Sequence, residues 1–398
     1  MAVLDANVSN LTSRMMTEQA LQSTSPLFND NKLKLATFCT NTMSFLTHSA
    51  AGWQPDWDVM IKAAQMADRA GFEALVPVAR WKGYLDDRPD HVSNVVLDPF
   101  IYAAAVAQAT HYSAVFATTH APTVHPVMLA KQAATIDLLS GGRFALNIVG
   151  GWNRREFDMF GIDLLGRGER YQYLDEWTDA LTRLWAEKDE FDFDGAYLKL
   201  KGAVSRPQPL QRPRVPLMNA GHSQEGRQFT AKRCDIALVN ALGEEPAALR
   251  QQVDSYKQYA LKEHGKKLQV WTNAILLLRD TQEEADRERR LYSEEQLDIE
   301  ALDSFMDTLS AETTIQRDTP EFDAMRARVA LGSGFPLVGS PDNVMAKLKM
   351  LSEAGIDGVM MNCIDFVGEV GRFTGSVLPL LEAAGLRKPF DRKGKHAA

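Results

Sequence analysis

The sequence predicts an α/β protein built on one closed (β/α)8 barrel, the TIM-barrel architecture, with an insertion before the last barrel unit. Three observations predict it. About eight short apolar runs alternate with helical stretches, which calls for a parallel sheet, and at that count a closed barrel is favoured over an open one. The 398 residues hold one such barrel with insertions comfortably. One stretch, 282–330, breaks the alternation, being highly charged, poor in apolar residues and helical at first.

The strand runs fall at 33–39, 72–78, 114–119, 143–149, 216–220, 236–239, 270–278 and 358–361. Helical sequence follows each. Over 56–70, Met60, Ala63, Ala64 and Ala67 share one face, and Gly71 stops the helix. Further helices are expected near 98–110, over 126–139, and over 168–186, where Leu174, Trp177, Leu181 and Leu184 form a stripe. Thr281 with Glu284 fits a capping box, and Ser340-Pro341 marks a helix start that Gly355 closes. The segment 188–202 reads as a β-hairpin around Asp194-Gly195. The insertion, 282–335, reads equally well as a lid or as a solvated helical hairpin. Residues 1–30 form a polar arm and 387–398 a basic, solvated tail, leaving 31–386 for the barrel domain.

Composition excludes some functions. The formal net charge is −8 with no long basic block, which argues against nucleic acid as a partner. No apolar run approaches the ~20 residues that span a bilayer, and the polar N-terminus lacks the apolar core of a secretory signal. Cys39, Cys234 and Cys363 are far apart and form no CxxC pair, which suits packing roles in a reducing cytoplasm.

In such a barrel the chemistry belongs at the C-terminal ends of the strands. Arg80, Trp81 and Lys82 follow the second run; Thr118, Thr119 and His120 follow the third; Asn147 and Gly150-Gly151-Trp152 follow the fourth; and Gly221-His222-Ser223 follows the fifth. Two adjacent glycines serve either a sharp turn or a close approach to a ligand. Ser223 fits a plain helix cap, and equally a cap whose neighbouring free N–H groups bind an anion such as phosphate. No His-x-His occurs, and His120 and His125 stand five apart, so a metal site is not expected. Phe45, His48, Trp53, Trp81, His120 and Phe335 suggest a pocket for a compact hydrophobic molecule, although the same side chains also suit a core.

Several of these residues carry a resemblance. The run Ala133-Ala134-Thr135-Ile136-Asp137, Ser140-Gly141-Gly142-Arg143-Phe144, Asn147, Gly151-Trp152, Glu156-Phe157, Gly161, Glu169-Arg170-Tyr171 and Ala220-Gly221-His222-Ser223 resembles the bacterial luciferase-like flavin monooxygenases. Within them it is most similar to the branch of the pyrimidine and dimethyl sulfone monooxygenases. The likeness spans about 33–386, is dense over 126–240 and thin over 282–335.

The resemblance implies a two-component enzyme using reduced FMN and oxygen, through a flavin peroxide at C4a or N5, on a small cyclic or sulfur-containing substrate. It implies that Asn147 and Glu156 line FMN, with Ala79-Arg80 contacting the ring system and Arg170, Tyr171 and Ser223 holding the ribityl chain and phosphate. It implies that Thr118, Asn147 and Trp152 surround the oxygen-reactive face, and that Phe45, Trp81 and His120 lie near substrate. Arg80 stands where the pyrimidine enzyme has Lys, and Thr119-His120-Ala121-Pro122 departs from both relatives. A separate NAD(P)H-dependent flavin reductase is implied, and no GxGxxG motif for a second nucleotide is present here. Homodimers or homotetramers are the family's usual assemblies. Two alternatives stay open: a deazaflavin-dependent oxidoreductase on the same barrel, and a non-catalytic flavin-binding barrel. A hydride carrier has no use for an oxygen pocket, so Thr118, Asn147 and Trp152 argue against the first.

Overall fold

The computed structural model describes residues 25–49, 56–241, 243–313 and 315–391. Its strands are β1 (Lys34–Phe38), β2 (Ala74–Val76), β3 (Ala114–His120), β4 (Phe144–Val149), β5 (Phe191–Asp194), β6 (Lys199–Ala203), β7 (Leu217–Asn219), β8 (Ile236–Val239), β9 (Gln269–Leu278), β10 (Phe335–Gly339) and β11 (Gly358–Asn362). β1, β2, β3, β4, β7, β8, β9 and β11 pair in parallel, and the β8–β9 pairing closes them into the expected eight-stranded barrel. All eight match the apolar runs. β5 and β6 form the antiparallel hairpin.

The helices are α1 (Trp57–Arg69), α2 (Pro99–Ala109), α3 (Pro126–Leu139), α4 (Arg154–Phe160), α5 (Arg167–Ala186), α6 (Gln224–Arg233), α7 (Pro246–His264), α8 (Gln282–Arg290), α9 (Ile299–Glu312), α10 (Pro320–Ala330), α11 (Pro341–Glu353), α12 (Phe366–Ser376) and α13 (Leu378–Ala383). Caps set their starts: Asp56 accepts from Asp58 and Val59 N–H, Asp98 from Phe100 and Ile101, and Ser340 from Asn343. No described helix is long and apolar enough to cross a membrane.

Alternation along each strand divides two cores. Ala36, Ala74, Val76, Ala114, Phe116, Ala145, Met218, Ile236, Leu238, Trp271 and Met360 fill the barrel, and the other face of each strand packs under the helices. Leu27, on a short 3₁₀ turn (Pro26–Phe28), plugs the bottom, with Gln269 Nε2 donating to its carbonyl at 2.8 Å. Residues 25–30 of the expected arm therefore pack against the barrel, while 1–24 lie outside the described residues. The expected tail behaves similarly at its start. Arg387 is buried and ion-paired to buried Glu73 at 2.6 Å, and 392–398 lie outside the described residues.

Three features depart from expectation. β10 lies parallel to the upper half of β9, from Ala274 to Leu278, above the point where β8 stops at Thr272. Its Pro336 and bounding glycines read as loop, yet an edge strand tolerates proline. The hairpin loop runs from 195 to 198 and is not a tight Asp194-Gly195 turn, because the Glu176 carboxylate accepts from Ala196, Tyr197 and Leu198 N–H at 2.7, 2.8 and 2.6 Å. The insertion is not a solvated hairpin. Ala301, Leu302, Met306, Val329 and Ala330 bury an apolar face against Leu46 and Leu85, and Thr47 Oγ1 donates to the Gln296 carbonyl at 2.9 Å. The segment covers the C-terminal mouth of the barrel.

Candidate active site

Thr118 and Asn147 are register partners on β3 and β4, both inward at the C-terminal end. Asn147 Nδ2 donates to Thr118 Oγ1 at 3.3 Å, and Thr118 passes its single hydrogen to the Pro77 carbonyl at 2.7 Å. The threonine therefore positions the amide and has no hydrogen left to offer a ligand. Asn147 is 4 % exposed, and its Oδ1 is buried without a partner among the described residues. A buried, unpaired amide oxygen costs free energy unless something arrives to donate to it, which marks a ligand position.

Glu156 sits in the first turn of α4, whose cap Asn153 accepts from Arg155 N–H. Its Oε1 accepts from Trp81 and Lys82 N–H at 2.9 and 3.3 Å, so this carboxylate fixes the loop after β2. Burial raises its pKa, opposed by those two N–H groups and by Arg80. His120 Nδ1 lies 3.3 Å from Glu156 Oε2 but is not aligned to hydrogen-bond with it. Burial pushes His120 down to about 4, so the imidazole is neutral near pH 7.

The sign of the pH effect follows. A histidine with a depressed folded pKa contributes its full stability above the unfolded value of 6.5 and loses it as pH falls toward about 4. Between pH 7 and pH 5 that loss is about 2 kcal/mol. His120→Asn should be correspondingly less acid-sensitive than the parent in denaturant melts at the two pH values. Equal losses in both proteins would show that His120 is not the group responsible.

Arg80 donates from Nη1 to the Ser93 carbonyl at 3.1 Å and lies over the Tyr84 ring, 4.8 Å from its centroid. Tyr84 meets Phe305 of α9 edge-on at 5.1 Å, and Phe305 meets Trp152 at 5.9 Å. The insertion thus clamps Trp152 and the Arg80 loop together over the mouth. Trp152 keeps partial exposure.

Across the mouth, Ser223 caps α6 by accepting from Gly226 N–H at 3.1 Å, and its side chain lies close enough to the Tyr171 hydroxyl to act on it. A Cβ on Gly221 or Gly226 would stand 2.7 or 2.6 Å from that hydroxyl, so both glycines are required for it to reach the helix N-terminus. Arg170 holds the Gly151 carbonyl at 2.8 Å and the Leu165 carbonyl at 3.0 Å, shaping the Gly150-Gly151 turn. Gly151 has φ +75°, and a Cβ there would meet the Phe157 ring at 2.3 Å. Gly226→Ala should displace both Tyr171 and the Gly221 backbone from the α6 N-terminus, and, with the FMN phosphate seated there as the family resemblance implies, weaken FMN binding about tenfold while riboflavin binding changes less. Equal loss for both flavins would place the phosphate elsewhere.

The expected aromatic pocket does not form as one wall. Phe45, 2 % exposed, packs edge-on against Tyr292 at 6.1 Å beneath the insertion, which needs apolar cover there. Phe335 is buried in β10. Trp81 is 38 % exposed and meets Phe160 at 5.3 Å. His48 is exposed, 3.9 Å from Asp298, and Trp53 lies outside the described residues.

Two residues went unforeseen. Carrying the register around the barrel at about one residue of stagger per strand places Asn273 of β9 in the same layer as Thr118, with Asn362 of β11 just above. Asn273 Nδ2 donates to the Ser333 carbonyl at 2.9 Å and Asn362 Nδ2 to Ser44 Oγ at 2.6 Å, and both Oδ1 atoms are buried without partners among the described residues. The signal available was an amide at an inward position late in an apolar strand.

Comparison with known proteins agrees with this arrangement. The family model for luciferase-like monooxygenases matches residues 33–358. An FMNH(2)-dependent dimethylsulfone monooxygenase of Pseudomonas fluorescens (strain Pf0-1) is 30% identical over 361 residues, covering 88% of this chain and 94% of the relative. The pyrimidine monooxygenase RutA of Acinetobacter baylyi is 26% identical over 356 residues, covering 88% and 95%. The crystal structure of DmoA from Hyphomicrobium sulfonivorans superposes with TM-score 0.78 at 20% identity, covering 90% of each chain, a likeness of fold. With its barrel closed, its mouth lined by Thr118, Asn147 and Trp152 and most of its length matched, this chain belongs to the luciferase-like monooxygenase family.

Proposed function

We propose that this protein is the oxygenating component of a two-component system. It takes reduced FMN from a separate NAD(P)H-dependent reductase in the cytoplasm and oxygenates or cleaves a small cyclic or sulfur-containing molecule. The observation that carries this reading is the Asn147 carboxamide, buried at the barrel mouth on Thr118 with an unpartnered Oδ1. The residues fit FMN. Asn147 and the Ala79-Arg80 backbone would flank the ring system, Glu156 would hold the loop that carries Arg80, and Ser223 with Tyr171 would receive the phosphate at the α6 N-terminus. When bound, reduced FMN supplies the electrons that activate oxygen.

The chain's own residues do the rest. Asn147 has one amide hydrogen beyond the bond to Thr118, available to stabilise negative charge developing on oxygen. Neutral His120 stands beside Glu156 and offers one ring N–H and one ring nitrogen for hydrogen bonds to a ligand. Trp152 and Phe305 narrow the path by which water enters.

Anaerobic titration tests the cofactor assignment. The purified protein should be nearly colourless and bind reduced FMN in preference to a reduced deazaflavin. Preference for the deazaflavin, or tightly bound flavin with direct NADH oxidation by this chain alone, would overturn it.

A further inference from the structure

A second binding determinant lies on the insertion. Charges around the cleft between the insertion and the barrel are mostly neutralised: Arg289 pairs with Glu294 at 3.0 Å, Arg326 with Asp303 at 2.8 Å and Lys347 with Glu244 at 2.9 Å. Arg328 differs. From the last turn of α10 its Nη1 donates to the Ala241 carbonyl at 3.1 Å, just past β8. Its Nη2 is buried and has no partner among the described residues. Burial lowers its pKa, and no acidic neighbour opposes the shift. Asp323, also on the cavity wall, is exposed and lies about 140° around the helix from Arg328.

Arg328 lines a cavity of about 770 Å³ with Ala241, Leu297, Phe335 and Pro336, a size suited to a small organic ligand. Arg328 is half-buried, but its Nη2 is shielded from water, and a charged donor so placed with no partner is costly unless an anion completes it. The cavity also reaches Gly334, next to Ser333, whose carbonyl holds Asn273. Asn273 stands in the layer of Thr118, so the cavity wall is joined through Ser333 to the candidate site.

We propose that Arg328 is a substrate-binding residue that receives an anionic group, a carboxylate or sulfonate, at the end of the substrate remote from the reacting atom. Arg is suited to this by its planar fork of donors, of which Nη2 is free. The inference deepens the reading above and rests on it for the word substrate. The anion chemistry has a second source, the FMN phosphate, because Arg328 also acts on His222, the neighbour of Ser223.

Calorimetric titration with benzenesulfonate and its neutral near-isostere methyl phenyl sulfone, on flavin-free and FMN-loaded protein, reads the site directly. The sulfonate should bind at least about tenfold tighter than the sulfone. Arg328→Leu should remove that preference and leave sulfone binding intact, Arg328→Lys should restore part of it, and Arg326→Leu should retain it. Melting curves check that each variant is folded. Equal binding of the two probes, absence of binding at millimolar concentration, or an unaltered preference in folded Arg328→Leu would overturn the proposal. A loss of FMN affinity but not riboflavin affinity in Arg328→Leu, with the sulfonate preference unaltered, would assign the guanidinium to the flavin phosphate instead. A protein that binds neither flavin yet keeps an Arg328-dependent sulfonate preference would defeat the flavin reading alone.

Discussion

Asn147→Ala is expected to bind reduced FMN nearly as the parent does, yet form product about 10²–10³ times more slowly, with oxygen consumption diverted to hydrogen peroxide. The size follows from the loss of one preorganised donor in a site closed to water. The amide is held by Thr118, and Thr118 by the Pro77 carbonyl, so the donor needs no reorientation when charge develops. Thr118→Val should produce the same uncoupling at smaller amplitude, because it removes only the support. Counting product and peroxide per oxygen during stopped-flow oxidation separates this from a structural role. If Asn147 only braced the mouth, flavin affinity and melting temperature would fall together while product per oxygen stayed constant.

Arg387→Leu should cost about 3–5 kcal/mol of folding stability with the site chemistry unchanged in the protein that remains folded. The Glu73 carboxylate is fully buried at the bottom of the barrel, where it accepts from Arg387 at 2.6 Å, Leu35 N–H at 2.8 Å and Asn31 Nδ2 at 2.6 Å. Removing the guanidinium also frees the Gly71 carbonyl, to which Arg387 Nη2 donates at 2.8 Å. An uncompensated carboxylate among apolar strands is the expensive product. The double variant Arg387→Leu with Glu73→Leu should recover much of the loss, and denaturant midpoints at neutral pH measure both. A loss below about 1 kcal/mol in Arg387→Leu would mean the pair behaves as an exposed one.

Continuous apolar runs and period-3.6 patterning made the barrel readable, since every barrel strand is apolar on both faces and most helices carry a side-chain cap or a buried stripe. β10 escaped because FPLVG has the composition of a loop and is a strand only by pairing with β9. Residues 25–28 escaped for a related reason: the short Pro26-Leu27-Phe28 run in a polar stretch looks like part of an arm until Leu27 closes the barrel.

The site divides the same way. Thr118, Asn147, Trp152 and Ser223 were legible as polar or aromatic residues at or near strand ends and Glu156 only through the family resemblance; the structure sets Thr118 and Asn147 side by side on β3 and β4. What each side chain is bonded to was not legible. Glu156 spends its Oε1 on the distant loop after β2, and Arg170 spends its donors on carbonyls of the loops just before its own helix, pairings that only the folded backbone reveals. Arg328 could not be singled out among the charges of the insertion, since only packing shows which cation lacks a partner.

The most direct test of the central claim is the mass of product after mixing anaerobic protein, reduced FMN and a panel of ring amides, sulfones and sulfonates with ¹⁸O₂. The account predicts that one product gains a single ¹⁸O atom, with no reductase or NADH present during the turnover. Full reoxidation of FMN to hydrogen peroxide across the whole panel, or product whose new oxygen comes from water, would contradict it.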